Sequence, residues 1–120
     1  MKVSIPIAED EKVSGVVAVP ADFQKGETIG VILAHGAAND MENALIVFLS
    51  NGLAEAGFLT LRFNFPYKEK GRKAPDSQKK LVQTWQQVVR FLKDNPKFGT
   101  KKKATGILKS LTAAIIPLDC

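Results

Sequence analysis

Polar and apolar residues alternate in two short segments at the start of the chain. Residues 2–8 and 12–20 are rich in apolar and β-branched residues, and the acidic turn Glu9-Asp10-Glu11 separates them. Two such segments joined by a polar turn predict a β-hairpin. A third segment, residues 29–34, is almost continuously apolar, which is typical of a strand buried on both faces of a parallel sheet.

The next segment has the period of a helix. Apolar or small residues recur three and four positions apart at Leu45, Phe48, Leu49, Gly52, Leu53 and Ala56. We predict an amphipathic helix with Asp40 as its N-cap and Gly57 just after its end. Residues 58–63 have the composition of a strand, so residues 29–63 predict a βαβ unit with a right-handed crossover.

A polar loop and a second amphipathic helix follow. Residues 64–76 combine prolines, a glycine and several charged residues, which predicts a surface loop at the carboxyl end of the preceding strand. Ligands usually bind at that edge of open α/β sheets. We predict a helix that Ser77 caps and that Asn95-Pro96 ends. Its apolar face consists of Leu81, Val82, Trp85, Val88, Val89 and Leu92.

The order of these elements predicts the α/β class, with a β-hairpin followed by βαβ units in a mostly parallel sheet with flanking helices. Residues 101–110 are expected to supply the next strand, although this segment is a poor strand before Ile107. The chain is 45% apolar and 24% charged, near the average of globular domains. We therefore expect residues 1–120 to form a single domain.

Composition excludes several kinds of site. The single cysteine, Cys120, allows no disulfide framework and no cysteine-based metal site. His35 is the only histidine, so one imidazole remains for general-base chemistry and no histidine-rich metal cluster can form. Glycine-rich phosphate and dinucleotide motifs are absent, and we predict no cofactor and no metal. Without a membrane-length apolar run or a signal peptide, the expectation is a cytoplasmic protein without a membrane partner.

Charge is distributed unevenly along the chain. Residues 1–60 hold 3 Lys and Arg against 8 Asp and Glu, whereas residues 61–120 hold 14 against 4. A basic second half is compatible with binding to nucleic acid or to a membrane surface. The alternative is a solvated helix face with a lysine-rich loop. We favour this alternative and do not expect nucleic acid binding, because no aromatic residues interleave with the lysines.

A candidate for chemistry follows the buried strand directly. His35-Gly36-Ala37-Ala38 lies between that strand and the first helix, where main-chain N–H groups are free and small side chains let an oxygen approach. Such a loop can form an oxyanion hole for acyl transfer. An ordinary tight strand-to-helix turn accounts for the motif equally well.

Three segments, taken together, are specific enough to indicate a protein family. They are Gly30-Val31-Ile32-Leu33-Ala34-His35-Gly36-Ala37, Asn39-Asp40-Met41 and Ala56-Gly57-Phe58-Leu59-Thr60-Leu61-Arg62-Phe63-Asn64-Phe65-Pro66-Tyr67. Together they closely resemble the α/β-hydrolase-like domains related to dienelactone hydrolase. That group includes the testis-expressed-protein and KANSL-complex-subunit types. The resemblance extends from about residue 3 to about residue 95 and implies the N-terminal portion of an α/β-hydrolase fold.

The resemblance implies roles for particular residues. His35, Gly36, Ala37 and Ala38 correspond to the oxyanion-side loop, in which His35 is structural and is not the catalytic base. Asp40 corresponds to the acid that caps the following helix. Arg62, Asn64 and Tyr67 correspond to the end of the strand that lies beside the site.

The resemblance also implies a nucleophile after the next strand, on a Gly-x-Ser-x-Gly turn, and Ser110 is at about the right place. The two glycine positions of that turn are Leu108 and Thr112, so the alternative of a serine in a C-terminal turn is favoured. The family places its acid and then its histidine after the nucleophile. Only Asp119 and no histidine follows Ser110, so the catalytic triad is incomplete.

Two functions remain open at this point. The first is a serine hydrolase lineage that acts on ester or acyl substrates, with a chain that is truncated or frame-shifted and catalytically incomplete. The second is a non-catalytic module that uses its basic surface, residues 68–103, to bind an acidic partner or nucleic acid. In either case the edge of an unfinished parallel sheet favours self-association.

Overall fold

The computed structural model describes residues 1–36 and 40–99 and confirms the α/β class. Outside the described residues lie Ala37, Ala38, the expected strand over residues 101–110 and the candidate nucleophile Ser110. The strands are β1 (Lys2–Ala8), β2 (Glu11–Ala18), β3 (Gly30–Ala34) and β4 (Leu59–Phe63). The helices are α1 (Ala44–Glu55), α2 (Pro66–Glu69) and α3 (Gln78–Asp94).

β1 and β2 form the predicted antiparallel hairpin, in which Ile5 lies opposite Val13. The turn is shorter than predicted, since Glu11 already pairs with Ala8 and belongs to β2. Alternate side chains, among them Ile5, Val13 and Val17, are buried. One face of the hairpin therefore packs into the core, as the alternating sequence pattern indicates.

The four described strands form one sheet in the order β1-β2-β4-β3. β3 and β4 are parallel, with Ala34 opposite Phe63, as the predicted βαβ unit requires. β2 runs antiparallel to β4. The parallel pairing expected for most of the sheet is thus confined, among the described strands, to the βαβ unit. The two-residue hairpin turn makes β1 and β2 run in opposite directions.

Helices α1 and α3 cover opposite faces of the sheet. The Thr60 hydroxyl of β4 lies 2.8 Å from the Ser50 hydroxyl of α1, and both side chains are buried. Phe63 of the same strand packs against Trp85 of α3, with ring centroids 6.2 Å apart. Since successive side chains of a strand point to opposite faces, residues 60 and 63 contact different layers. This arrangement confirms the expected flanking helices.

The orientation of α1 differs from the prediction. Ile46 and Ser50 are its fully buried residues, whereas Phe48, predicted to lie on the core face, is 72% exposed. Leu45, another predicted core position, is also exposed. The reason is that α1 is apolar almost all round, with Glu55 as its single charged residue. Its sequence period therefore did not determine which face packs against the sheet.

The N-cap of α1 is Asn43, and the prediction of Asp40 is wrong. Asn43 Oδ1 accepts a hydrogen bond from Leu45 N–H at 2.9 Å. Asp40 lies before the helix, where its Oδ1 accepts from Glu42 N–H at 2.8 Å and closes a separate turn. Met41, inside that turn, is bound by side chains of β4, so the helix begins only after it.

The end of α1 is the predicted one. Gly57 has a φ of +102°, a conformation that favours glycine. Phe58 N–H donates to the Leu53 carbonyl at 3.0 Å, and Gly57 N–H donates to the Ala54 carbonyl at 3.1 Å. These two hydrogen bonds form a Schellman motif, which satisfies the last carbonyl groups of the helix.

Helix α3 also has its predicted ends. Ser77 Oγ accepts from Lys80 N–H at 3.2 Å, and the helix stops before Asn95-Pro96. Its fully buried residues are Thr84, Val88 and Leu92. Val82 was predicted to face the core but is 49% exposed, because it lies at the margin of the apolar face. None of the helices described here is long and apolar enough to cross a membrane.

The predicted loop over residues 64–76 contains the one-turn helix α2, which the sequence analysis missed. Pro66 occupies its first position, where the missing N–H costs nothing. Four residues with a proline do not show a helical period. The helix therefore leaves no periodic signal in the sequence.

Glu11 connects the hairpin to both of the later helices. Its carboxylate forms ion pairs with Lys80, in the first turn of α3, and with Lys70, which follows α2. Lys80 first, and Lys70 second, hold the pKa of Glu11 below its ordinary value of 4.5. The side chain is mostly buried, so water screens these ion pairs only in part.

We expect opposite effects from alanine at two glycines of the α1 region. Gly57→Ala places an L side chain at positive φ and should cost roughly 1–2 kcal/mol. Gly52 lies inside α1 with nothing within 4 Å of an added Cβ, so Gly52→Ala should stabilise by about 0.5–1 kcal/mol. Urea denaturation followed by circular dichroism measures both. Equal effects at the two positions would contradict the assigned end of the helix.

The lowered pKa of Glu11 predicts a contribution to stability that depends on pH. The ion pairs contribute fully above the ordinary value of 4.5, and this contribution is lost as the pH falls through the lower folded-state pKa. We expect Glu11→Gln to lower the free energy of unfolding at neutral pH by roughly 1 kcal/mol or less, and to lose its effect in strong acid. Denaturation curves across the acid range test this. Glu9→Gln, in the adjacent hairpin turn, is the control, and a pH-independent effect of Glu11→Gln would refute the assignment.

Candidate functional site

The candidate site lies where β3 and β4 end side by side. Because the two strands are parallel and Ala34 is opposite Phe63, their carboxyl ends reach the same edge of the sheet. His35-Gly36 continues the chain from β3 at this edge, and Asn64-Phe65 continues it from β4. Two loops that are distant in sequence therefore meet here.

His35 joins the two loops through its ring. Nε2 accepts a hydrogen bond from Phe65 N–H at 3.0 Å, and Nδ1 lies 2.8 Å from the Gly36 carbonyl oxygen. A nitrogen that accepts carries no proton, so this network assigns the proton to Nδ1, which donates to Gly36. The ring is 2% exposed and packs edge-on against Phe65 and Tyr67. The Nε2 lone pair is thus already used inside the core.

A second donor approaches the Gly36 carbonyl. The Tyr67 hydroxyl, from α2, lies 3.5 Å from this oxygen, which is a long hydrogen bond. Tyr67 and His35 are both buried, so bulk water does not compete for the same oxygen. The two contacts therefore hold the Gly36 carbonyl group in a defined orientation.

Two side chains from the end of β4 hold the chain after residues 37–39. Arg62 Nη1 donates to the Met41 carbonyl oxygen at 2.9 Å and forms an ion pair with Glu42 at 2.7 Å. Asn64 Oδ1 accepts from Met41 N–H at 2.9 Å. Both main-chain polar groups of Met41 are thus bound, one by Arg62 of β4 and one by Asn64, which follows β4 directly. Described residues on both sides of positions 37–39 are therefore held by hydrogen bonds.

Two carboxylates fix α2, the helix that carries Tyr67. Asp76 Oδ2 accepts from Tyr67 N–H at 2.9 Å, and Asp76 Oδ1 pairs with Arg72 at 3.3 Å. Glu69 accepts from both the main-chain N–H and the hydroxyl of Ser14, at 2.9 and 2.8 Å. The helix is therefore bound both to its own loop and to β2.

The structure brings together five of the predicted site residues, namely His35, Gly36, Arg62, Asn64 and Tyr67. Asp40 lies beside them in the turn that contains Met41. The predicted residues outside the described part are Ala37, Ala38 and Ser110. Sequence reasoning missed Met41 and Phe65, which act through main-chain groups that no side-chain pattern marks. It also missed Asp76. The one feature of the sequence that marks this residue is its position directly after a proline.

The residues described hold no group of three or more His, Cys, Asp or Glu side chains that could bind a metal ion. The polar groups at this edge are mainly amide and carbonyl groups with one arginine. They hold the chain in position, and the arginine and asparagine are bound to main-chain atoms.

Comparison with known proteins defines the family. A family model described as an alpha/beta hydrolase domain matches residues 27–106, about two-thirds of the chain. The chain therefore belongs to the α/β-hydrolase family. No curated protein matches it significantly.

Solved structures show the same fold. An α/β serine hydrolase homologue from Coxiella burnetii is 22% identical, with a TM-score of 0.63 over 78% of this chain and 45% of its own. An α/β serine hydrolase without a lid from Xanthomonas campestris is 16% identical, with a TM-score of 0.66 over 84% and 47% of the two chains. Est1E from Butyrivibrio proteoclasticus is 17% identical, with a TM-score of 0.67 over 96% and 47%. The chain spans somewhat less than half the length of these structures.

We expect substitution to separate two contributions of the His35 ring to stability, namely the hydrogen bond that Nε2 accepts and the packing of the ring in the core. His35→Leu leaves Phe65 N–H without an acceptor in the core and should lower the free energy of unfolding by about 2–4 kcal/mol. His35→Gln can place Oε1 near the position of Nε2 and should lose less. Urea denaturation measures both variants. Equal losses would show that ring packing, and not the hydrogen bond, is what His35 contributes.

Proposed function

We propose that this chain supplies the oxyanion-binding side of a serine hydrolase site that acts on an ester or another acyl compound. The observation that carries the proposal is the set of hydrogen bonds that hold the described residues on either side of positions 37–39. His35 and Gly36 are held before this segment, and Met41 is held after it. The names of two solved relatives, a serine hydrolase and a serine hydrolase homologue, support the reaction type.

The chemistry of acyl transfer explains why anchoring matters. When a nucleophile attacks the acyl carbon, the carbonyl oxygen becomes negatively charged in the tetrahedral intermediate. Main-chain N–H groups stabilise this charge best when they are already in place, because no free energy is then spent on reorientation. The small side chains of Ala37 and Ala38 allow an oxygen to approach the main chain. Loss of one such donor typically lowers kcat by about 10²–10³.

The nucleophile and its base are the second part of the proposal. Ser110 is the proposed nucleophile, and a serine requires an adjacent base to react. His35 is unsuited to that role because its Nε2 accepts from Phe65 N–H inside the core. It is also the one histidine of the sequence. We therefore propose that the base is a histidine that is not among these 120 residues.

Within the family, we assign the chain to the dienelactone-hydrolase-like group and to its testis-expressed-protein and KANSL-complex-subunit type. The run Asn64-Phe65-Pro66-Tyr67 belongs to one of the segments that resemble this group, and each of its residues has a definite place at the site. Asn64 and Phe65 bind the loop that follows β3. Pro66 starts α2, and Tyr67 approaches the Gly36 carbonyl.

The first test is hydrolysis of p-nitrophenyl acetate by the purified chain and by its Ser110→Ala variant. We expect both to react at the uncatalysed rate, since a serine without a base is a weak nucleophile. Turnover that Ser110→Ala abolishes would contradict the requirement for an external histidine.

The second test uses a longer form, extended through any hydrolase-like reading frame that follows the chain in its gene. We expect this form to hydrolyse the ester, and Asn64→Ala to lower kcat about tenfold with little change in KM, because the oxyanion loop loses one anchor. Asn64→Asp keeps an Oδ1 acceptor for Met41 N–H and is the matched control. An extended form that Asn64→Ala leaves unchanged would argue against the role of this loop.

A further inference from the structure

The outward face of α3 carries cations that the described chain does not use. Lys79, Arg90 and Lys93 have no acidic group within ion-pair distance among residues 1–36 and 40–99. The amino-acid sequence by itself favours a solvated helix face for these charges, but the surface of α3 also contains depressions beside them.

Two shallow depressions lie along this face of α3. The first has a volume of about 550 Å³ and is lined by Gln78, Lys79, Val82, Gln83 and Gln86. The second has a volume of about 220 Å³ and is lined by Gln86, Val89, Arg90, Lys93 and Asp94. Because both include Gln86, they form one continuous surface, the α3 groove. From Lys79 to Lys93 the groove is about 21 Å long at the α-helical rise.

The α3 groove combines apolar and basic positions in a regular way. Each depression contains one valine. Val82 is half-exposed, and Val89, seven residues later, is partly buried against the core and lines the second depression with the rest of its surface. Residues at this spacing lie two turns apart on one side of a helix, which is the repeat by which two helices pack. Asp94 is the single acid of the groove and is outnumbered by the three cations.

We propose that the α3 groove binds an acidic amphipathic helix of a partner protein. Two apolar side chains of that helix, one heptad apart, would cover Val82 and Val89. Its flanking carboxylates would face Lys79, Arg90 and Lys93, which is the charge complementarity that such docking requires. Nucleic acid fits less well, because a phosphate backbone would leave the exposed side chain of Val82 and the accessible part of Val89 in water.

The position of α3 supports this use of its surface. The opposite side of the helix is bound to the sheet through Val88 and Leu92, which are buried in the core. The partner would therefore meet a preformed surface and would not have to displace α3. The groove is also separate from the candidate site, whose residues lie at the ends of β3 and β4.

The probe is a fluorescein-labelled peptide of about 20 residues, with leucine at the first and fourth positions of each heptad and glutamate beside them. Fluorescence anisotropy measures its binding to the full chain. We expect micromolar affinity that falls several-fold between about 50 mM and about 300 mM salt, since exposed charges are screened. Arg90→Glu should weaken binding about tenfold, while Lys12→Glu, the same charge change on β2, should change it less than about twofold.

A second pair of variants, one in the α3 groove and one outside it, tests the apolar contact. Val82→Ala should weaken binding about threefold, whereas Val19→Ala, at a similarly exposed valine away from the groove, should have no effect. Absence of binding by the leucine and glutamate peptide would overturn the proposal. So would equal binding of a peptide with serine in place of leucine, or tighter binding of a single-stranded oligonucleotide that Arg90→Glu weakens equally. Equal binding of the serine peptide, or tighter binding of the oligonucleotide, would identify the groove as a surface for polyanions in general.

Discussion

The hydrogen bond from Phe65 N–H to His35 Nε2 joins the two loops from which the rest of the candidate site is built. It forms because β3 and β4 are parallel neighbours, so the residues that follow them emerge at one edge of the sheet. Inside the core an unpaired N–H would cost about 1–3 kcal/mol, so the acceptor that His35 Nε2 provides stabilises the fold. The same ring contacts the Gly36 carbonyl oxygen through Nδ1.

The N-terminal hairpin supports the site although it lies far from it in sequence. Ser14 of β2 binds Glu69, and Glu69 belongs to the same short helix as Tyr67. Tyr67 in turn packs against His35. Glu11 adds a second connection by binding lysines after α2 and in α3. A short series of direct contacts therefore connects the hairpin to the candidate site.

Helices α1 and α3 show which sequence patterns are informative. α3 has a strongly amphipathic sequence, and most of its predicted face packs against the sheet, with Val82 as the exception at the margin. α1 is apolar on nearly every side, so its period could not show that Ser50 faces the core and Phe48 faces outward. The hydrogen bond of Ser50 with Thr60 belongs to the packed state, and no local pattern in the sequence encodes it.

The sequence alone determined the four described strands, the two long helices and the helix ends at Ser77 and Gly57. It also determined that a second histidine is lacking, because that is a matter of composition. Only the tertiary structure decided that Met41 and Phe65 contribute to the site. Both act through main-chain groups, which are the same in almost every residue. Their roles therefore depend on where the parallel pairing of β3 and β4 places them.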